Sequence, residues 1–396
     1  MQRGRKMNKS ACLICLLCLL ISCGPKQDGI EKIFEDGVEV VINHFEPYKI
    51  EGEPSELYLD EILKIDMEQE DISEQGLADV QTFDVDSEGN IFIFQFPRES
   101  EHLVFKFNKA GNFVMSFGEI GQGPGEIQAN VPGYLRITIR NEIPIVDRTA
   151  KKILFFSSRG TLLQEIPFDM YYLSRGGFTP LENGNFLIHR VPLGPQGEIQ
   201  RAIISIFDSG LNKIKDLADY EIPGMGKEKV NVFLEIPIVG ISRNQIFLGY
   251  EKISKDILVY DLNGELKRII RKEYSSIAVP DELKQEFKER FEGTPIWEQL
   301  YIPTHMPYFQ YLFTDDEGRL YVVTFEKDKD SGMNICDIYN RDGIFIGRKS
   351  MGYYDLVNYI YLGPSMDIIA KSDRLYCLRE KESGYKELMV YKMRWK

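Results

Sequence analysis

The feature that most constrains this chain is a recurring order of short strands and tight turns. Residues 78–85 alternate apolar and polar, 86–90 (Asp-Ser-Glu-Gly-Asn) turn, and 91–96 form a second apolar run. Residues 103–107 are a third, 108–112 (Asn-Lys-Ala-Gly-Asn) turn again, and 113–117 are a fourth. Apolar residues at period two around Gly, Asn and Asp turns are hairpin signals. The first turn is echoed at 141–142, 182–185, 243–244, 315–318 and 372–373, about 42 to 73 residues apart. The second is echoed at 158–160, 208–210, 262–264 and 341–343. Four-strand units at such a period predict a β-propeller, with an irregular β-sandwich as the alternative.

The sixth unit is short, because 366–371, 374–379 and 387–393 supply only three strands. An open ring would leave a bare sheet edge, which proteins avoid. Residues 56–67 carry the alternation of the missing outer strand (Leu57, Leu59, Ile62, Leu63, Ile65). The expected fold is therefore all-β, a six-bladed ring closed by an N-terminal strand. One helix is expected in the connection between units four and five, roughly 271–308. There Pro280-Asp281 opens Leu283, Phe287 and Phe291 at four-residue spacing, and Gly293 ends the run.

Ahead of the repeats, Arg3, Arg5, Lys6 and Lys9 precede a short apolar stretch, 11–21, which reads as a secretion signal and is too short to span a bilayer. It ends in Leu20-Ile21-Ser22-Cys23-Gly24, a lipobox-like site at which the Cys23 sulfur takes lipid. An ordinary signal peptide is the alternative, and Met7 is an alternative start. Residues 1–22 are thus expected to be a signal, 23–54 a tether and lead-in, and 55–396 the propeller. Acyl chains hold a protein at a membrane without inserting it. The address is the bacterial cell envelope, most simply the outer membrane, on its periplasmic or surface side.

Removing the four basic signal residues leaves 44 basic against 61 acidic, about −17. That balance argues against nucleic acid, whose phosphates need a basic surface. Beyond the signal and Cys23, only Cys336 and Cys377 remain. They lie in strand-like runs with no C-x-x-C, so two buried thiols are expected, with a disulfide as the alternative.

Elaborated links fall on one face of such a ring: 118–133, 192–200, 218–237 and the helical insertion. Loops held on a rigid frame are where function usually sits. Within the first, Gly121-Gln122-Gly123-Pro124-Gly125-Glu126 is not a phosphate cradle, since no Lys-Ser/Thr follows and Pro124 removes a donor. It reads as a tight structural crossing, with contact to a ligand as the other reading. Asp84 to Gly89 imitates half a calcium loop, but Gln95 stands where the bidentate acid belongs. The candidate ligand site is the aromatic group Trp297, Tyr301, His305 and Tyr308, joined by Tyr311. Overhanging the channel it could stack on a sugar or clamp a peptide, and the bland alternative is packing of the insertion. No catalytic set and no close histidine pair is found.

The four-strand register, together with Phe117-Gly118-Glu119-Ile120 and the Gly-Gln-Gly-Pro-Gly-Glu run, resembles the six-bladed propeller lipoproteins, related to NHL repeats, of Gram-negative gut commensals. The resemblance covers nearly all of the mature chain and implies fold and envelope location, with no catalytic residues to carry over. The resulting expectation is a monomeric, membrane-tethered binding module for a glycan, peptide or protein, without a cofactor. The alternative is a lyase or hydrolase using calcium or zinc in the channel.

Overall fold

Strands buried on both faces need not alternate, and that is the condition of most strands here. The computed structural model describes residues 30–78, 80–96, 102–128, 135–168, 173–191, 201–222, 229–233, 236–351 and 368–396. Six antiparallel blades succeed one another along the chain. Blade 1 comprises Val80–Val85, Ile91–Gln95, His102–Phe107 and Phe113–Glu119. Blade 2 has three described strands within 143–167, and blade 3 has four within 173–221. Blade 4 runs from Ile238–Ile241 to Leu266–Lys272, and blade 5 from Phe309–Thr314 to Phe345–Met351. Blade 6 comprises Ile368–Lys371, Arg374–Glu380 and Lys386–Trp395.

Apolar clusters fill each seam between successive blades. Phe92 and Phe94 face Ile143 and Leu154 of blade 2, while Ile91 and Ile93 point the other way, to Tyr376 and Val390 of blade 6. Ile91–Gln95 is accordingly buried at every position. The outer strand Leu162–Pro167 has one blade face in solvent and is mostly exposed. Cys336 and Cys377 lie in the seam between blades 5 and 6 as buried thiols not joined in a disulfide, and burial pushes the Cys336 thiol well up.

Seven of the hairpin turns share one device. Asp86, Asp315 and Asn340 each use a side-chain oxygen to accept the N–H groups two and four residues on, at 2.8–3.0 Å. Asn108, Ser157, Asp208 and Asp261 repeat the pattern. Short polar side chains that bond the backbone locally favour such turns over continued strand.

The ring closes as expected. Leu57–Asp66 pairs antiparallel with Lys386–Trp395, from Leu57 opposite Trp395 to Asp66 opposite Glu387. Lys381 Nζ holds both Asp66 oxygens at 3.0 and 3.1 Å. The insertion helix forms at Asp281–Phe291, with acids in its first turn and Lys288 and Arg290 in its last, which suits the helix dipole. Leu283, Phe287 and Phe291 bury against Val232, Phe233 and Phe325. A second, one-turn helix spans Glu70–Ser73.

The lead-in differs from expectation. Gly37 and Glu31–Glu35, read as tether, belong to a packed hairpin. Asp36 (φ 49°) and Gly37 (φ 83°) make the turn, and Glu31–Glu35 pairs with Val38–Asn43. Two positive φ values at Asp-Gly are the hallmark of a type I′ hairpin. Val38–Asn43 then adds in parallel to the outer strand of blade 4, from Glu39 opposite Arg268 to Asn43 opposite Lys272. Val40, Val41 and Asn43 are fully buried. Arg271 forks between Glu35 at 2.7 Å and Asp256 at 2.9 Å. The signal 1–22, Cys23 and the loop 192–200 lie outside the described residues.

Candidate functional site

The insertion builds a small cap with its own core. Beyond its helix, Trp297 starts a one-turn 3-10 segment and packs, half-buried, on the helix cluster. Tyr301 lies in the two-residue strand Leu300–Tyr301, paired in parallel with Val230–Asn231, and is 40 % exposed. His305 is exposed, with Nδ1 2.9 Å from Thr304 Oγ1. Tyr308 belongs to a different cluster, its ring 5.3 Å from Tyr274, and Tyr311 is buried in the seam between blades 5 and 6. Trp297 and Tyr308 thus pack on separate cores, while Tyr301 and His305 are the group's exposed members.

The glycine run folds back on its own acid. Glu126 Oε2 accepts the Gly123 N–H at 2.7 Å, and a Cβ on Gly121 would sit 1.9 Å from that oxygen. Gly125, at φ 78°, donates its N–H to Glu165 of blade 2 at 3.0 Å. Ile127 then enters the seam between blades 1 and 2. The calcium-like segment is also spent on structure. Asp86 caps its own hairpin, and Asp84 Oδ2 accepts the Ile137 N–H at 2.7 Å. Among the described residues no three His, Cys, Asp or Glu side chains converge as a metal site.

Two polar groupings escaped the reading of the sequence. Lys272 and Asp337, 3 % and 0 % exposed, pair at 3.2 Å between blades 4 and 5. Arg348 Nε reaches the other Asp337 oxygen at 2.7 Å, and Lys272 Nζ lies 4.6 Å over the Tyr274 ring. Burial raises the Tyr274 hydroxyl far above its ordinary pKa. Removing one partner of such a pair would leave an uncompensated buried charge, whereas the intact pair offsets much of its own desolvation cost.

The other grouping is a cavity of about 520 Å³ on the turn face, between the turns of blades 4 and 5. Arg243, Asn244, Gln245 and Arg268 line it from blade 4, and Asp316, Glu317, Gly318, Arg341 and Asp342 from blade 5. It opens on the face opposite the elaborated links. Arg268 Nε donates to Glu39 at 3.1 Å and its Nη1 to the Arg341 carbonyl at 3.1 Å. Arg243 lies 3.7 Å from Asp316, and Arg268 lies 3.8 Å from Asp342. The available signal was Arg243 and Arg341 recurring at turns of consecutive units, which only the apposition of two blades converts into a site.

These features define a six-bladed β-propeller. Residues 80–232 match the DUF5128 family, described as a six-bladed β-propeller. No curated protein is similar in sequence. Among solved structures, a protein from Bacteroides fragilis described as exported is similar at TM-score 0.52 and 13 % identity, over 90 % of this chain and 99 % of its own. A DUF4221 member from Bacteroides vulgatus is similar at TM-score 0.51 and 11 % identity, over 87 % and 100 %. At these identities the likeness is one of fold.

Proposed function

We propose that the protein is an exported, lipid-anchored propeller that serves as a binding module of the bacterial envelope, with the outer membrane as its site. The observation that carries the reading is a closed ring with unlike faces, one capped by the insertion and one holding a polar cavity. The lipobox at Cys23 supports the address, as does the exported description of the Bacteroides fragilis protein. Ile30 is buried, and six residues, 24–29, lie between it and Cys23 in sequence. At no more than about 3.5 Å per residue, a lipid on Cys23 holds Ile30 and the hairpin that follows it within roughly 25 Å of the anchor.

The test is a survey of the purified full chain against glycan and peptide arrays, run beside hydrolase and lyase assays with calcium or zinc added. Saturable binding without turnover is expected. Turnover of a substrate together with empty arrays would replace the binding module with an enzyme.

A further inference from the structure

We infer that the cavity between blades 4 and 5 takes a small monocarboxylate bearing neighbouring hydroxyls, the chemistry of a hexuronic acid. The inference rests on the binding-module reading and names its ligand class. The cavity's acids all have partners. Asp316 Oδ2 accepts the Ser372 N–H at 2.7 Å, Glu317 lies 3.4 Å from Arg319, and Asp342 lies 3.8 Å from Arg268. Arg268 is committed to Glu39 and to the Arg341 carbonyl.

Arg341 at the mouth is not so committed. Arg341 is exposed and its guanidinium has no partner among the described residues. Arg243 is 64 % exposed, with one loose approach to Asp316 at 3.7 Å. Arg341 is thus the one charged side chain of the lining with no ion-pair partner among the described residues, and a planar guanidinium fork matches a carboxylate. Asp316, Glu317 and Asp342 on the same rim repel a dianion more than a monoanion, which disfavours phosphate. Asn244 and Gln245 add neutral amides suited to hydroxyls, and no aromatic ring lines the cavity for stacking. Its size falls in the range of small-molecule pockets, about 300–1,000 Å³.

The experiment is calorimetric titration of the full chain with glucuronate, glucose and inorganic phosphate. Arg341→Ala, Arg243→Ala and, on the opposite face, Tyr301→Ser are titrated alongside, with thermal melts confirming that each folds. Glucuronate should bind with a Kd of about 1 mM, at least tenfold tighter than glucose or phosphate. Each arginine variant should lose about tenfold, and Tyr301→Ser should bind as the wild type does. Equal binding of glucose, preference for phosphate, wild-type affinity in Arg341→Ala, or no saturable glucuronate signal would each overturn the assignment. Loss of glucuronate binding in Tyr301→Ser alone would move the ligand to the insertion, refuting the cavity while leaving the binding module standing.

Discussion

Asn43→Ala tests whether the N-terminal hairpin is welded to the ring. Asn43 is fully buried, and its Nδ2 donates to the Gly343 carbonyl at 3.0 Å while its Oδ1 accepts the Phe345 N–H at 2.8 Å. Gly343 and Phe345 are themselves buried on blade 5, so alanine strands one buried acceptor and one buried donor. Each such group costs about 1–3 kcal/mol when its partner is removed, which sets the loss at about 3 kcal/mol. The loss should fall on the hairpin first, because Val38–Asn43 joins blade 4 only along one edge. Hydrogen exchange is the assay. Amides of residues 38–43 should exchange roughly 100-fold faster in the variant, since about 1.4 kcal/mol is a factor of ten, while those of Ile91–Gln95 stay protected. Unchanged protection across 38–43, together with a denaturation free energy within about 0.5 kcal/mol of wild type, would show that Asn43 does not hold the hairpin to blade 5.

Further predictions follow from single contacts. In the closing strand, Ile65 is 2 % exposed and Ile62 is 47 % exposed, so Ile65→Ala should cost about 2–4 kcal/mol in urea denaturation and Ile62→Ala almost nothing. Gly121→Ala should cost about 1–2 kcal/mol by pushing Glu126 off the Gly123 N–H, and the penalty should vanish in a Glu126→Ala background, as read by a double-mutant cycle. Burial beside Tyr220 pulls the His189 pKa to about 4. The unfolded chain takes up this proton near pH 6.5 and the fold only near 4, so His189 supports the fold fully above 6.5 and loses that support as pH falls toward 4. His189→Gln should flatten the pH dependence of the urea midpoint over that window.

Much of the architecture was legible because both signals that write it are local. Asp, Asn or Ser at seven of the turn starts bonds its own backbone, and the apolar runs need only neighbouring blades to bury them. Residues 56–67 could be placed because their alternation matched the edge that blade 6 lacked. The hairpin at 31–43 escaped for the opposite reason. Its charged residues and Gly37 resemble a tether, and its stability comes from Asn43 and Arg271 meeting groups more than two hundred residues away. Asp36-Gly37 before Val38-Glu39-Val40-Val41 was the usable signal. The aromatic group at 297–308 looked like a unit in sequence, yet Trp297 and Tyr308 serve two different cores. The cavity was not legible, since Arg243 and Arg341 become neighbours only when blades 4 and 5 lie side by side.

The most direct test of an anchored ring is the intact mass of the protein extracted from the membrane fraction of its host. The expected species is a chain beginning at Cys23, heavier than its polypeptide by a diacylglyceryl group and an acyl chain, and soluble when Cys23 is changed to Ser. A mature protein that starts at another residue, or that carries Cys23 as a free thiol in the soluble fraction, would contradict it.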